Sequence, residues 1–171
     1  MIQIFTAQPA DLPAIDALLD DRFGPARRNR TAYRLRDGAV PAAALSFVAR
    51  GGGQLVGSVQ CWPLQLRGVS GRTAPLTLLG PVATAVDRQG EGIASQLMAA
   101  ALAAVDATGA APVLLIGDAP FYGRFGFSAA ATVGWVLPGP VDRARLLLRG
   151  DAAALPTLGW IETGAGVRRA A

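Results

Sequence analysis

Two closely spaced glycines between a strand pattern and a helical pattern give the clearest local signal in the sequence. The apolar stretch 76–86 is typical of a strand, Gly90 and Gly92 follow it, and an amphipathic helical pattern begins at about Ile93. The first amides of a helix have no partners within it, and the helix dipole makes that end positive. Because glycine lets the backbone approach a ligand closely, such a turn can wrap a phosphate or diphosphate with amides alone. From spacing alone, an ordinary strand-to-helix turn is the favoured interpretation.

Missing residue types exclude more chemistry than the present ones suggest. The sequence has no histidine and no lysine, its sole cysteine is Cys61, and its only glutamates are Glu91 and Glu162. Ser-His-Asp and Cys-His catalysis, histidine or thiolate metal sites, Schiff-base chemistry and a P-loop lysine are therefore excluded. A dinucleotide-binding fingerprint is excluded too, because Ser95 stands where a third glycine or alanine is needed. The chemistry that remains uses backbone donors, a hydroxyl, an aspartate or a bound water, and we expect no metal.

Size and charge favour one globular domain over residues 1–171, which is a typical domain length. The net charge is +4, and every basic residue is an arginine. This charge indicates an anionic partner, although a compositional bias would explain the arginines equally well. The longest apolar run, residues 97–105, has about half the length of a bilayer span. The N-terminus shows no basic region ahead of an apolar one, so we expect a cytoplasmic protein that does not bind membranes.

Five arginines lie between Arg27 and Arg36. A polar helical pattern from Ala26 to about Arg36 would place Arg27, Arg30 and Arg34 on one face. A solvated surface is one interpretation of this face, and recognition of an acidic ligand is another. Nucleic-acid binding is a third, but Tyr33 is the only aromatic residue among these arginines and no nucleic-acid-binding motif accompanies them.

The remaining patterns predict an α/β protein. Strand patterns cover residues 1–6, 44–49, 54–66, 112–116 and 127–136, in addition to 76–86, and helical patterns cover 9–23, 93–108 and 118–125. Gly109 is a natural stop for the helix 93–108. Pro81 suits a place in the sheet where pairing is lost, because proline cannot donate to the ladder. Beyond Pro140 the pattern weakens.

Two segments carry a family resemblance. Residues 89–94, Gln-Gly-Glu-Gly-Ile-Ala, resemble the Gln/Arg-x-x-Gly-x-Gly/Ala loop that binds the acetyl-CoA diphosphate in the GNAT superfamily of N-acetyltransferases. Residues 120–127, Pro-Phe-Tyr-Gly-Arg-Phe-Gly-Phe, are similar to that family's Tyr-x-x-x-Gly-Phe segment, and residues 117–122 resemble the Gly-Asp-x-x-Tyr-Tyr-like stretch of an uncharacterised bacterial branch. The likeness is continuous from about residue 44 to 136. It implies a mixed, largely antiparallel central sheet with splayed fourth and fifth strands, flanked by helices.

The resemblance also implies a reaction and the residues that carry it. The reaction is transfer of acetyl from acetyl-CoA to an amine by direct attack, the acceptor being a small molecule or a peptide. Tyr122 falls on the general-acid tyrosine, and a positioned phenol can protonate a departing thiolate. The backbone of the fourth strand would pair with the pantetheine arm, and the glycine loop would hold the diphosphate. The implied cofactor-binding residues are Val82, Ala83, Thr84, Gln89, Gly90, Gly92, Ile93 and Ala94.

Several assignments stay open at this stage. The family often uses a glutamate as general base, but Glu91 lies in the phosphate loop and Glu162 near the C-terminus. An amine of low pKa or a water chain would need no dedicated base, and other candidates for the base are Asp118, Thr84 with a bound water, Asp20 and Asp21. Cys61, mid-strand and without an activating histidine, is expected to be a small core residue rather than a nucleophile. The acceptor is also open, and a homodimer is compatible with the sequence.

Two other classes of function compete with an enzyme. A non-catalytic acyl-CoA sensor would use the same loop, but Tyr122 and the intact loop argue against it. The resemblance places residues 27–36 over the acceptor pocket, where the arginines would meet an acidic acceptor or the 3′-phosphate of CoA. A protein that binds anions or nucleic acid through these arginines alone would instead lose affinity steeply with salt and be indifferent to CoA. We expect no nucleic-acid partner.

Overall fold

The computed structural model describes residues 1–164 and divides into two units. Two long strands run through both units. The first unit comprises Met1–Arg27, Pro41–Cys61 and Leu79–Ala110, and the second comprises Arg28–Val40, Trp62–Leu78 and the chain from Ala111 onward. In chain order the strands are β1 (Ile2–Thr6), β2 (Phe47–Gly51), β3 (Gln54–Gly68), β4 (Thr73–Thr84), β5 (Val113–Ile116), β6 (Gly134–Val136), β7 (Leu146–Arg149) and β8 (Leu158–Thr163). The α-helices are α1 (Leu12–Phe23), α2 (Thr31–Arg34), α3 (Ile93–Thr108) and α4 (Ala119–Tyr122).

The first unit contains the strand order β1-β2-β3-β4, with β1 antiparallel to β2 and β2 antiparallel to β3. Helix α1 buries one apolar face, formed by Ile15, Leu18 and Leu19, in a cluster with Val48 of β2 and Ala83 of β4. Each fully buried side chain of this size contributes about 1.5–3 kcal/mol, so this face holds the helix to the sheet. Ala83, which precedes the glycine loop in sequence, is held in place by its packing against α1.

Helix α3 has the bounds that the sequence predicts, 93–108, with left-handed Gly92 and Gly109 as its caps. Its buried residues are Ile93, Leu97, Met98, Ala101, Leu102 and Val105. A glycine on β3 lets the helix approach the sheet: a Cβ at Gly57 would lie 2.8 Å from Cγ2 of Ile93 and 3.0 Å from Cδ1 of Leu97. The first turn of α3 is therefore packed closely on the sheet.

The second unit contains the order β6-β8-β3-β4-β5-β7. Strands β4 and β5 are parallel, with Thr77 opposite Val113, whereas β5 and β7 are antiparallel. Its core is a cluster of buried side chains that includes Trp135, Leu66, Leu114 and Leu146. The sheet is mixed and flanked by helices, as the family resemblance implies.

The predicted helix over residues 26–36 is wrong. The chain forms a 3₁₀ turn at Pro25–Asn29, is extended at Arg30 (ψ 151°), and makes only the single turn α2 afterwards. The reason lies in Arg27, which is buried: its Nη2 donates to Asp16 and its Nε to Asp20, each at 2.8 Å. These two bonds tie the turn to α1. Arg27 consequently shares no helical face with Arg30 and Arg34, and it belongs to the first unit while they belong to the second.

The predicted strand over residues 127–136 is also wrong. Only Ser128 forms a bridge, opposite Leu148, and the strand β6 is limited to Gly134–Val136. Between them the chain turns, because the buried Thr132 hydroxyl donates to the carbonyls of Ala129 and Leu146 at 3.1 and 2.8 Å. Strands β7 and β8, which the sequence did not predict, follow this turn.

Candidate active site

The glycine loop ends at the N-terminus of α3. The first intrahelical hydrogen bond runs from Gln96 N to Gly92 O at 3.1 Å, so the amides of Ile93 and Ala94 precede it. Such amides and the helix dipole together favour an anion at this end. Gln89, Gly90 and Gly92 are exposed, whereas the Ile93 side chain is buried. Ile93 can thus offer a ligand its amide but not its side chain.

Positive φ angles make the loop glycines structurally necessary. Gly90 has φ +85° and Gly92 has φ +73°, and a Cβ at either would meet nothing within 4 Å. L-residues adopt this left-handed conformation only at a cost, and glycine adopts it freely. The space beside both glycines is open, so a ligand such as a phosphate group could reach the loop backbone.

An ion pair between Arg88 and Glu91, on either side of Gly90, stabilises the loop. Arg88 donates from Nε to Oε1 of Glu91 at 2.6 Å and from Nη2 to Oε2 at 2.8 Å. This forked pair spans the loop at i,i+3, and the bond from Arg88 holds the pKa of the Glu91 carboxyl below its usual range. Glu91 therefore stays ionised and serves the loop, which disfavours it as a catalytic base.

The end of β4 leads into the loop. Val82 and Thr84 are half-buried, Ala83 is buried, and the Gly80–Pro81 peptide that precedes them is cis. Within residues 1–164, the buried Thr84 hydroxyl oxygen finds no hydrogen-bond partner. A buried hydroxyl without a partner costs free energy, so a polar group of a ligand or a water would satisfy it. All eight predicted cofactor-binding residues lie together, from the end of β4 to the first turn of α3.

Tyr122 lies in the second unit, at the end of α4. The amides of Phe121 and Tyr122 both donate to the Asp118 carbonyl at 3.0 Å, which closes this short turn. The Tyr122 ring packs edge-on against Phe121, with centroids 4.8 Å apart, and against Phe127 at 6.2 Å. The ring is thus held on two sides by aromatic neighbours.

Burial raises the pKa of the Tyr122 phenol above its usual value, and the Asp118 charge adds to the increase while the Arg145 charge opposes it. A phenol with a raised pKa carries its proton throughout the neutral range. Tyr122 is therefore available as a proton donor.

Gly117 determines where the Tyr122 ring can lie. A Cβ at Gly117 would overlap Cε2 of that ring, so the Gly117→Ala variant must displace it. If Tyr122 is the general acid that the family resemblance implies, kcat should fall about tenfold to a hundredfold, since small misplacements of a catalytic group have effects of this size. Gly123→Ala is the matched control, because Gly123 has helical φ of −56° and a Cβ there meets nothing within 4 Å. Steady-state kinetics of both variants test this, and equal kcat values would show that the ring position does not matter.

The other candidate bases are mostly engaged in ion pairs. Glu162 accepts from Arg67 at 2.8 Å and from Gln65 at 3.2 Å, and the bond from Arg67 lowers the pKa of its carboxyl. Asp20 binds Arg27, and Asp118 lies 3.5 Å from Arg145. Both glutamates are therefore held as ionised partners of arginines.

Two further residues of the sequence-based predictions have clear structural roles. Cys61 is fully buried in β3, as predicted for a core residue, and burial raises the pKa of its thiol to about 12. The guanidinium of Arg36 lies over the Tyr33 ring at 3.6 Å and the Trp62 ring at 4.7 Å. Arg36 is thus buried against two aromatic rings, a role that spacing within the arginine cluster could not reveal.

Within residues 1–164, no group of three acidic or cysteine side chains is arranged to hold a metal ion. No helix in this part of the chain is both long and apolar enough to cross a membrane.

The mixed sheet with a parallel β4–β5 pair, the glycine loop that opens a long helix and the aromatic turn after β5 are the features that the resemblance to the GNAT superfamily implies. The sequence pattern of the acetyltransferase (GNAT) domain matches residues 3–130. The chain is 34% identical over 126 residues to the uncharacterised N-acetyltransferase YhbS of Escherichia coli, which covers 72% of this chain and 71% of that protein. This chain therefore belongs to the GNAT family of acetyltransferases.

Solved structures agree with this assignment. The crystal structure of YhbS from Escherichia coli in complex with CoA has a TM-score of 0.75 and 29% identity, covering 95% of this chain and 89% of that one. A GNAT family acetyltransferase from Brucella melitensis in complex with acetyl-CoA has a TM-score of 0.68 and 26% identity, covering 96% and 97%. These two proteins are similar to this chain over nearly its full described length.

Proposed function

We propose that this chain transfers the acetyl group of acetyl-CoA to an amine, which attacks the thioester carbonyl directly. The observation that carries the proposal is the pair of left-handed glycines, Gly90 and Gly92, that open a clear space before the N-terminus of α3. The diphosphate would accept hydrogen bonds from the amides of Gly90, Gly92 and Ala94. The crystallised relatives that hold CoA or acetyl-CoA support this choice of ligand.

The residues at the end of β4 fit the rest of the cofactor. The backbone groups of Val82, Ala83 and Thr84 would pair with the amides of the pantetheine arm, as the family resemblance implies. The orphaned Thr84 hydroxyl offers one more polar contact there. An amide that faces the thioester oxygen would stabilise the charge that develops on it during attack.

Tyr122 would complete the transfer by protonating the leaving group. As the carbon–sulfur bond breaks, the CoA sulfur takes the electron pair and accepts the phenol proton. The tyrosinate that remains recovers a proton from solvent or from the acceptor. The phenol carries its proton at neutral pH, as a general acid must, and the position of the ring between Phe121 and Phe127 would aim that proton at the leaving sulfur.

No dedicated base is needed in this proposal. Both glutamates are bound to arginines with their pKa values lowered, which makes them poor proton acceptors. An acceptor amine with a low pKa would already be unprotonated before it attacks. Otherwise the amine's proton would leave through a water chain to bulk solvent. The acceptor would be a small-molecule or peptide amine, and a homodimer remains compatible with the proposal.

The test is a titration of the protein with acetyl-CoA, followed by measurement of CoA release across a panel of amines. Saturable binding and amine-dependent release are the expected results. Binding without release from any amine would favour the sensor module over the enzyme. Absence of binding at low salt would contradict the assignment of the loop.

A further inference from the structure

Arg145 touches the segment before α4 in two ways. Its carbonyl accepts a hydrogen bond from Gly117 N at 2.9 Å, and its Nη2 lies 3.5 Å from Oδ1 of Asp118. Arg145 comes directly before β7, so the backbone bond continues the ladder in which β5 and β7 pair. Arg145 therefore contacts two successive positions ahead of the helix that carries Tyr122, through a backbone hydrogen bond to Gly117 and an exposed ion pair with Asp118.

The anchored segment leads straight to the phenol. Asp118 is the N-cap residue of α4, and its carbonyl accepts from Tyr122 N at 3.0 Å. The Asp118 side chain makes no capping bond, so its carboxylate is available for Arg145. Gly117 lies against the Tyr122 ring. A displacement of Arg145 would therefore shift Gly117 and Asp118, and through them the Tyr122 ring.

Four charged groups surround this part of the second unit. Two of these charges act on the pKa of the Tyr122 phenol: Asp118 raises it and Arg145 lowers it. The guanidinium of Arg124 lies over the Phe121 ring, 4.2 Å from its centroid, and Arg149 Nε donates to the Phe125 carbonyl at 3.1 Å. Arg145 is therefore the cation that acts on the phenol.

We propose that Arg145 is a positioning residue for Tyr122: it holds the turn that presents the phenol, and its positive charge stabilises the phenolate formed when the proton passes to the CoA thiolate. Asp118 holds the guanidinium in place and opposes its charge. The proposal rests on the general-acid role of Tyr122 proposed above. Arg145 does not itself touch the reacting atoms.

The expected size of the effect follows from exposure. The side chains of Arg145 and Asp118 are 49% and 74% exposed, so water and salt screen their charges strongly. We expect Arg145→Met to lower kcat up to about fivefold, the change that corresponds to an exposed charge interaction. The KM for acetyl-CoA should stay the same, and molar salt should shrink the difference from the parent.

The decisive measurement uses the small number of tyrosines. The sequence has two, Tyr33 and Tyr122. In a Tyr33→Phe background, biosynthetic fluorotyrosine labels Tyr122 alone, and its fluorine NMR resonance reports ionisation at a lower pH than an unmodified phenol. Arg145→Met should move the midpoint of this titration up, and Asp118→Asn should move it down. Arg72→Met is the matched control, because Arg72 lies in the β3–β4 turn and donates to the Ala154 carbonyl.

Each outcome decides a separate question. Equal midpoints in the parent and in Arg145→Met would overturn the proposal, as would a shift of the same size in Arg72→Met. A shifted midpoint together with full activity of Tyr122→Phe would leave Arg145 acting on the phenol but remove the general-acid role. Loss of activity in Arg145→Met with an unchanged midpoint would make Arg145 a purely structural residue.

Discussion

Replacing Tyr122 with phenylalanine is expected to lower kcat about a hundredfold or more, with little change in the affinity for acetyl-CoA. The substitution keeps the ring, and with it the edge-on contacts to Phe121 and Phe127, and removes only the hydroxyl. A lost general acid has an effect of this size. In a chain without histidine or lysine, and with both glutamates ion-paired, a second side chain that could replace the proton donor is hard to find. Steady-state rates with the best amine, together with acetyl-CoA titrations, provide the measurement.

Tyr33→Phe is the matched control for this experiment, since it removes the same atom from the other tyrosine and keeps the ring beneath Arg36. It should leave the affinity for acetyl-CoA unchanged, and because residues 27–36 are expected to lie over the acceptor pocket, any fall in kcat should be much smaller than in Tyr122→Phe. If Tyr122→Phe retained the parental kcat, Tyr122 would be a packing residue and the thiolate would take its proton from water. If affinity for CoA fell while kcat stayed constant, Tyr122 would position the cofactor instead.

Gly92→Val should abolish tight binding of acetyl-CoA, with a Kd at least tenfold higher than that of the parent. A β-branched side chain at φ +73° is strained and would project into the space that the diphosphate is proposed to occupy. The strain alone should lower the free energy of unfolding by about 1–2 kcal/mol. Calorimetric titration with acetyl-CoA and thermal unfolding of the same protein separate the two effects.

Gly109→Val offers a matched control at the other end of the same helix. Gly109 also caps α3 in the left-handed conformation, at φ +62°, and a Cβ there would likewise meet nothing within 4 Å. We expect a similar loss of stability without a change in Kd. A folded Gly92→Val protein that bound acetyl-CoA as tightly as Gly109→Val would show that the diphosphate does not lie on this loop.

Local patterns predicted the segment from β4 to α3 well. The strand, glycine turn and helix from 76 to 108 depend on residues that are neighbours in sequence, and α3 has its predicted bounds. The positive φ of Gly92 at the helix start is likewise a local requirement. The loop residues could therefore be named from the sequence, while their role in binding the cofactor stays a prediction.

Side-chain contacts that reach beyond neighbouring residues explain what the sequence did not predict. Arg27 breaks the expected helix by binding two aspartates of α1, and Thr132 ends the expected strand by bonding to Leu146. The run Leu146–Leu148 was a usable signal for β7, since a short apolar run is typical of a buried strand. Arg145, directly before it, acts only through its contacts with Gly117 and Asp118. Such a residue cannot be found from spacing alone.

Because Cys61 is buried, the chain should react only very slowly with thiol reagents. Burial raises the pKa of this sole cysteine to about 12, so the thiol stays protonated at pH 8, and the thiolate is the reactive form. A disulfide dye added during turnover would therefore report free CoA against almost no protein background. A cysteine introduced at a chosen surface position would react alone, so a single fluorophore can be attached without first mutating the native residue.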